Sequence, residues 1–310
     1  MLATRTNFLE SVLIFLRSCS PSTTLGSTIR EGPDCASPRV IRVTVSPLNP
    51  ADLLDLTIGP EPFRVCVQNV ADFVAATDDD PGRWSGAAPP GFMAAALFAV
   101  ASDLLRQLAD RSVIHGEQTF TWHQPLTVES QLEVTGKVTR VRERGGVDFV
   151  TFDVTVVGDD GAVVAEASSL FLVSVIDSGV AAVERPEPSP EDDGDPAPTQ
   201  IGVSRGGLVR YAAATRDWNP IHWDHETAVA AGLPGVIAHG LLQAAWAFAA
   251  ASRLRPGDAP FRSARVRFRS PLLPATPVSV RVEDDGDNAV VAVADADVEY
   301  VSARIELTER

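Results

Sequence analysis

Two stretches of the chain, 91–109 and 240–254, are apolar on almost every turn of a helix, and each is followed by four runs in which apolar and polar residues alternate. The runs after the first are 117–124, 131–143, 147–157 and 162–174; those after the second are 262–270, 277–284, 288–294 and 297–308. A period of two marks strands with one face buried, whereas a helix apolar on all sides must be surrounded by protein. Gly145 and Gly146, and then Asp159, Asp160 and Gly161, supply tight turns between successive strands of the first set. A short helix is predicted ahead of each long one, over 69–76 and 207–215. Each half therefore reads as helix first and antiparallel meander afterwards.

The letters carry the same repeat. VAATDDD at 74–80 resembles AAATRDW at 212–218, GFMAAALFAVASDL at 91–104 resembles GLLQAAWAFAAASRL at 240–254, and WHQPL at 122–126 resembles FRSPL at 268–272. The offsets, 138, 149 and 146 residues, keep the same order and differ only as loop insertions would make them differ. Between the copies, 177–200 is crowded with Pro, Asp and Glu and predicts an extended acidic linker. Ahead of them, 1–47 contains one apolar run, 8–16, which is interrupted by Glu10 and falls short of the roughly 20 residues that span a bilayer. The Ser-, Thr-, Gly- and Pro-rich stretch that follows has no apolar period and predicts a poorly ordered extension. The expected organisation is an extension (1–47), a first domain (48–176), the linker (177–200) and a second domain (201–310).

The expected fold class is α+β. An antiparallel sheet curling around a long helix covers it on every side, which is the hot-dog arrangement. Two such units pairing edge to edge bury sheet edges that would otherwise invite aggregation, so a tandem, pseudo-dimeric double hot-dog within one chain is expected, with a homodimer as a further option.

Composition narrows the function. The chain has 310 residues, 45% of them apolar, and a formal charge of −15, which opposes attraction to nucleic acid or to anionic membranes. Cys19, Cys35 and Cys66 share no CxxC spacing, which argues against a disulfide framework or a zinc site and for a reduced, cytoplasmic compartment.

Candidate chemistry concentrates in YAAATRDWNPIHWD, 211–224. Asp217, Asn219, His222, Asp224 and His225 fall within nine positions, and Asn219–Pro220 should stop the preceding helix and force a turn. A carboxylate and an imidazole five positions apart can hold one water, one partner taking a proton as the other gives one, as the addition or loss of water across a carbon–carbon double bond requires. The plainer alternative makes Asp217 a helix cap and His222 an ordinary histidine. His222, Asp224 and His225 could also ligate a metal, although no standard zinc spacing is present. Downstream, Gly240 opens the second long helix; free N–H groups at a helix start suit a developing oxyanion, and the glycine equally suits close helix–sheet packing.

These letters, with AGLPGVIAHGLL leading into Gly240, resemble the signature of MaoC-like (R)-specific enoyl-thioester hydratases and 3-hydroxyacyl-thioester dehydratases, and the resemblance covers 201–310. It implies that Asp217 and His222 are the catalytic pair and that the Gly240 amide binds the thioester carbonyl. It also implies that Asn219 shapes the loop, that His239 lies beside the helix start, and that the product or substrate is an (R)-3-hydroxyacyl thioester. No metal or redox cofactor is implied; coenzyme A or the phosphopantetheine of an acyl carrier protein is the substrate handle. The Pro-Gly-Asp turn usual after the FRSP segment is replaced by Leu273–Pro274–Ala275–Thr276, a change of turn rather than of reacting groups.

The first half resembles the non-catalytic partner of the same superfamily, mainly in HGEQTFTWHQPL at 115–126. Asp79 aligns with Asp217, but no histidine stands in the place of His222, so this half is expected to be scaffold and a wall of the acyl pocket. His115 and His123 are expected to meet ordinary hydrogen-bonding needs, and Arg262, Arg265, Arg267 and Arg269 to form a solvated strand face or a phosphate-binding stripe. Two rival functions stay open: a hot-dog thioesterase, in which an acidic residue activates water for hydrolysis, and a non-catalytic acyl-binding subunit.

Overall fold

The computed structural model describes residues 49–175 and 200–309; the expected extension 1–47 and the linker 177–200, apart from Gln200, lie outside the described residues. The alternating runs become strands because their apolar positions share one face: β2 (Arg111–Trp122), β3 (Gln131–Arg144), β4 (Val147–Gly158) and β5 (Val163–Val175) in the first half. In the second half the strands are β6 (Phe261–Phe268), β7 (Ser279–Asp285), β8 (Asn288–Ala294) and β9 (Glu299–Leu307). Both long apolar stretches are helices, α2 (Met93–Gln107) and α5 (Gly240–Ser252), each preceded by a shorter one, α1 (Val67–Thr77) and α3 (Arg205–Thr215).

The described strands make one antiparallel sheet in the order β1-β3-β4-β5-β2-β6-β9-β8-β7, with β1 at Thr57–Arg64. The order is a near palindrome: β3-β4-β5-β2 in the first half runs against β6-β9-β8-β7 in the second. The halves meet where β2 pairs β6, from Glu117 opposite Arg267 to Thr121 opposite Ser263. α2 packs on β1, β3 and β4, and α5 on β6, β7, β8 and β9, so each half curls its strands around its own helix. This is the double hot-dog that the repeat predicts.

The helices also touch across the halves. Phe73 of α1 and Tyr211 of α3 lie 6.0 Å apart between ring centroids, and a Cβ on Gly91 would come within 3.2 Å of Ala245 on α5. The main core accordingly runs through both halves from Leu53 to Leu307, with Phe92, Leu97, Phe120, Phe152, Leu242 and Phe248 among its most buried side chains, and Ile221, Ala228 and Ile237 form a small cluster of their own. Among the described residues no helix is long and apolar enough to cross a membrane.

Four details differ from the sequence expectation. β1 was not expected; it is an edge strand in which only Ile58 and Phe63 are buried, so it shows no alternation. The first long helix opens as a 3-10 turn, Pro90–Phe92, because consecutive prolines fix the chain there, and a further short helix, α4 (His225–Ala230), follows the loop after α3. β2 begins six residues earlier than its run of alternation, because a register shift between His115 and Glu117 breaks the period of two.

Candidate active site

The loop after α3 is built by its own letters. Arg216 ends the helix in the left-handed region (φ 67°), Asp217 follows, and Pro220 opens a 3-10 turn, Pro220–His222, that swings His222 back toward Asp217. Asn219 fixes the loop from three sides. Its Nδ2 donates to the Val113 carbonyl of β2 at 3.1 Å, its Oδ1 accepts from the Ile221 amide at 3.4 Å, and its own N–H points to Asp217 Oδ1 at 3.4 Å. The loop of the second half is thereby tied to the first. Asp224 caps α4, accepting from the Thr227 amide at 2.8 Å. Asp224 is therefore taken up by the helix rather than by a metal set with His222 and His225.

Asp217, His222 and His239 are brought together in the interior, at 6%, 7% and 0% exposure. His222 Nδ1 lies 2.9 Å from the Ile237 carbonyl and His239 Nε2 lies 3.2 Å from the Asp217 carbonyl. A carbonyl oxygen only accepts, so each of these nitrogens carries the ring proton. The other nitrogens, His222 Nε2 and His239 Nδ1, are left as bare lone pairs. The two rings stack with centroids 3.8 Å apart at 26°, and His239 in turn sits 4.9 Å from the Tyr211 ring. Burial raises the Asp217 carboxyl to about 7, against a weak opposing bond from the Asn219 amide, and lowers His222 to about 4, against its bond to Ile237. His239 is pushed well below the usual histidine range, first by burial and then by its neighbour His222. Between about pH 4 and pH 7 the prevailing state thus pairs a carboxylic acid with an uncharged imidazole.

The ligand atoms of Asp217, His222 and His239 also lie within 4.8 Å of one another, close enough to be considered for a cation. Histidine lone pairs lie in the ring plane, and two nearly parallel stacked rings do not aim theirs at one point. The arrangement suits proton transfer better than chelation.

Gly240 begins α5 beside this pair, and its N–H, like the others of a first turn, has no acceptor within the helix. A side chain is excluded there because a Cβ would meet the Phe268 ring at 2.8 Å. The pair, Gly240 and Gln243 line one cavity of about 200 Å³, whose far wall is Phe98, His115 and Phe171 of the first half. A cleft of about 220 Å³ elsewhere, beside Pro90, Trp122 and Phe261, holds none of these groups.

Residues 191–304 match the MaoC like domain, and residues 58–167 match the FAS1-like dehydratase domain region. The 3-hydroxyacyl-thioester dehydratase X of Mycobacterium tuberculosis is 31% identical over 241 residues, 74% of this chain and 81% of that protein. The chain belongs to the MaoC-like dehydratases. The crystal structure of that organism's HtdX has 22% identity and a TM-score of 0.64, over 81% of this chain and all of that one. A second Mycobacterium tuberculosis protein, described as having a double hotdog fold, has 13% identity and a TM-score of 0.57, over 83% and 97% of the two chains. Both likenesses agree with the tandem architecture. The family is one of hydro-lyases.

For a MaoC-like protein, the wall contributed by the first half holds a residue that sequence reasoning undervalued. His115 was expected to be an ordinary strand histidine; it lines the cavity of the pair, and its Nε2, which has almost no accessible surface, has no hydrogen-bond partner in the protein. Gly116, a glycine inside an otherwise regular strand, was the available signal of a bulge. His123, by contrast, lies at the surface with Glu166 at 2.9 Å. The arginine stripe is solvated and matched by acids: Arg265 and Arg267 both meet Glu117, Arg269 meets Glu299, and Arg262 meets Glu309.

Proposed function

We propose that this MaoC-like protein interconverts trans-2-enoyl and (R)-3-hydroxyacyl thioesters, with Asp217 and His222 as its acid–base pair. The observation that carries the reading is geometric: Asp217 and His222 are buried together and line one cavity with Gly240 at the start of α5, and that burial displaces the acid upward and the base downward. In dehydration, bare His222 Nε2 takes the α-proton, and the electron pair of that C–H bond forms the double bond as the C3–oxygen bond breaks. Protonated Asp217 gives its proton to the departing hydroxyl, which leaves as water. The thioester oxygen gains negative charge on the way and receives a hydrogen bond from the Gly240 amide. The pair ends as carboxylate and imidazolium, and one proton returned from His222 to Asp217 resets it. Hydration is the reverse: the carboxylate takes a proton from water as its oxygen attacks C3, and the imidazolium protonates the α-carbon.

Asn219 serves by holding the loop on β2, and no further cofactor is needed for these steps. Coenzyme A or a carrier protein's phosphopantetheine would be the handle. A cytoplasmic location, inferred from cysteine usage, belongs to the same proposal. The test is a spectrophotometric assay with short and medium trans-2-enoyl-CoA on the wild type, Asp217→Asn and His222→Ala. Loss of enoyl absorbance in the wild type and not in the variants is expected. Release of free thiol without hydration would establish a thioesterase instead.

A further inference from the structure

The buried wall opposite the pair holds one chemical group that these steps leave unused. His115 sits on β2 at the register shift between His115 and Glu117, where one extra residue, Gly116, bends the strand. A Cβ on Gly116 would lie 2.4 Å from Leu172 Cδ1, so a larger residue there would require the Leu172 side chain to move. Bulges of this kind re-aim a side chain. Here the imidazole is held between the rings of Phe171 and Phe268, with centroids at 4.9 and 4.8 Å, and Phe268 in turn lies under Gly240. His115 and His222 are near enough for each charge to oppose the other, and burial keeps His115 uncharged, at about 3, against opposing bonds to the Gln118 side chain and the Glu117 backbone. A buried polar atom left unpaired is costly, and the cost is relieved when a ligand supplies the partner.

We propose that His115, supplied by the non-catalytic half, is a substrate-binding residue whose Nε2 hydrogen-bonds the 3-hydroxyl of the acyl thioester. A neutral imidazole nitrogen is either a donor or an acceptor, and a hydroxyl satisfies both. The apolar surroundings, Phe98, Leu105 and Phe171, offer the acyl chain no other polar contact on that wall. The site is then composite: the second half supplies the acid, the base and the oxyanion amide, and the first half recognises the oxygen that is gained or lost.

The inference rests on the hydratase/dehydratase reading, and the test keeps the two separate. In the full chain carrying Asp217→Asn, so that nothing turns over, isothermal titration would compare (R)-3-hydroxyacyl-CoA with the saturated acyl-CoA of equal length, at four and eight carbons. With His115 intact the hydroxylated thioester should bind more tightly by roughly tenfold or more. His115→Phe, which keeps the ring stack, should abolish that preference and leave the saturated thioester within about twofold. His115→Asn, which reaches only as far as Nδ1, should behave like Phe, whereas His115→Gln, which reaches the Nε2 position, should keep most of the preference. If the Phe variant does not fold, the Asn and Gln variants decide. A preference unchanged in every variant, or an equal loss of both thioesters, overturns the His115 assignment alone. Failure of every thioester to bind overturns the function reading and this inference together.

Discussion

Asp79 and Trp84 stand one repeat before Asp217 and His222 with the same spacing, and the Trp84 indole N–H donates to Asp79 Oδ2 at 2.9 Å. An indole only donates, so it can neither take nor relay a proton. Arg83 closes the place further, lying 4.6 Å over the Trp84 ring and donating to the Ser252 and Arg255 carbonyls at 2.8 and 2.9 Å. The Asp79 position is thus engaged in a structural bond in one copy, while in the other Asp217 keeps the histidine that the proposed proton transfer needs. Asp79→Asn keeps an acceptor for the indole, so hydration activity should stay within about twofold of wild type. Asp217→Asn should lower it by two orders of magnitude or more, the scale expected when an acid–base group is lost. Parallel initial-rate assays check both, and a comparable loss in the two variants would contradict the division of labour between the halves.

The pH profile should be a bell set by the pair. Activity needs one proton on Asp217 and His222 together. Below about 4 both groups hold protons and the base is gone; above about 7 both have lost them and the acid is gone. Because hydration and dehydration use the same single-proton state, kcat/KM should follow the same limbs in either direction, with apparent values belonging to the pair rather than to each residue. Measurement of kcat/KM from pH 3.5 to 9 tests this, and a profile flat through pH 7 would remove Asp217 as the acid.

The same displacement weakens the fold. Asp217 holds its proton more tightly folded than unfolded, about 7 against 3.8, so its favourable contribution is complete below about pH 3.8 and is lost as pH rises through about 7. At pH 8 the penalty is at most about 4 kcal/mol. Asp217→Asn should therefore melt several degrees above wild type at pH 8, with the difference shrinking to little at pH 4. Calorimetry at the two pH values decides it, and a variant less stable at pH 8 would show that the carboxylate is held by bonds stronger than the burial that opposes it.

How far the letters reach can be seen residue by residue. α2 and α5 announce themselves as stretches apolar on every side, β2 to β9 as runs of alternation, and the repeat between 74–126 and 212–272 places them in two like units. β1 is silent, since Gly59, Pro60 and Pro62 leave no alternation and an edge strand tolerates them. Asp217, His222 and Gly240 are legible because one loop and one helix start carry them. His239's role is hidden, because its stacking on His222 and its bond to the Asp217 carbonyl depend on how that loop folds back. His115 is hidden more deeply: 107 positions separate it from His222 in the sequence, and only the pairing of β2 with β6 brings the two to one cavity.

Asn219 offers a test of that junction. Its side chain spans the halves by the bond to the Val113 carbonyl, so Asn219→Ala removes one buried-edge hydrogen bond, worth about 1 kcal/mol, and leaves the loop free to shift. Because misplacement of a reacting group by about 1 Å costs up to about 100-fold, kcat should fall tenfold to 100-fold while the melting temperature drops only a few degrees. Steady-state kinetics beside a thermal melt separate the two effects. Wild-type kcat in the variant would mean that the loop is held without the cross-half bond.

Gly240 and Phe268 form a steric pair in which each limits the other. A methyl at 240 would come to 2.8 Å from the Phe268 ring, closer than carbon atoms approach, so the ring or the helix start must move. The ring is itself packed against His115, and the helix start carries the amide assigned to the thioester oxygen. Gly240→Ala should therefore lower kcat/KM at least tenfold and also reduce stability. Phe268→Leu in the same chain makes room for the methyl and should recover much of the melting temperature. If glycine serves only packing, the double variant should recover activity along with stability. If the amide must meet the substrate at close range, activity should stay low after stability returns, because the methyl still crowds the approach.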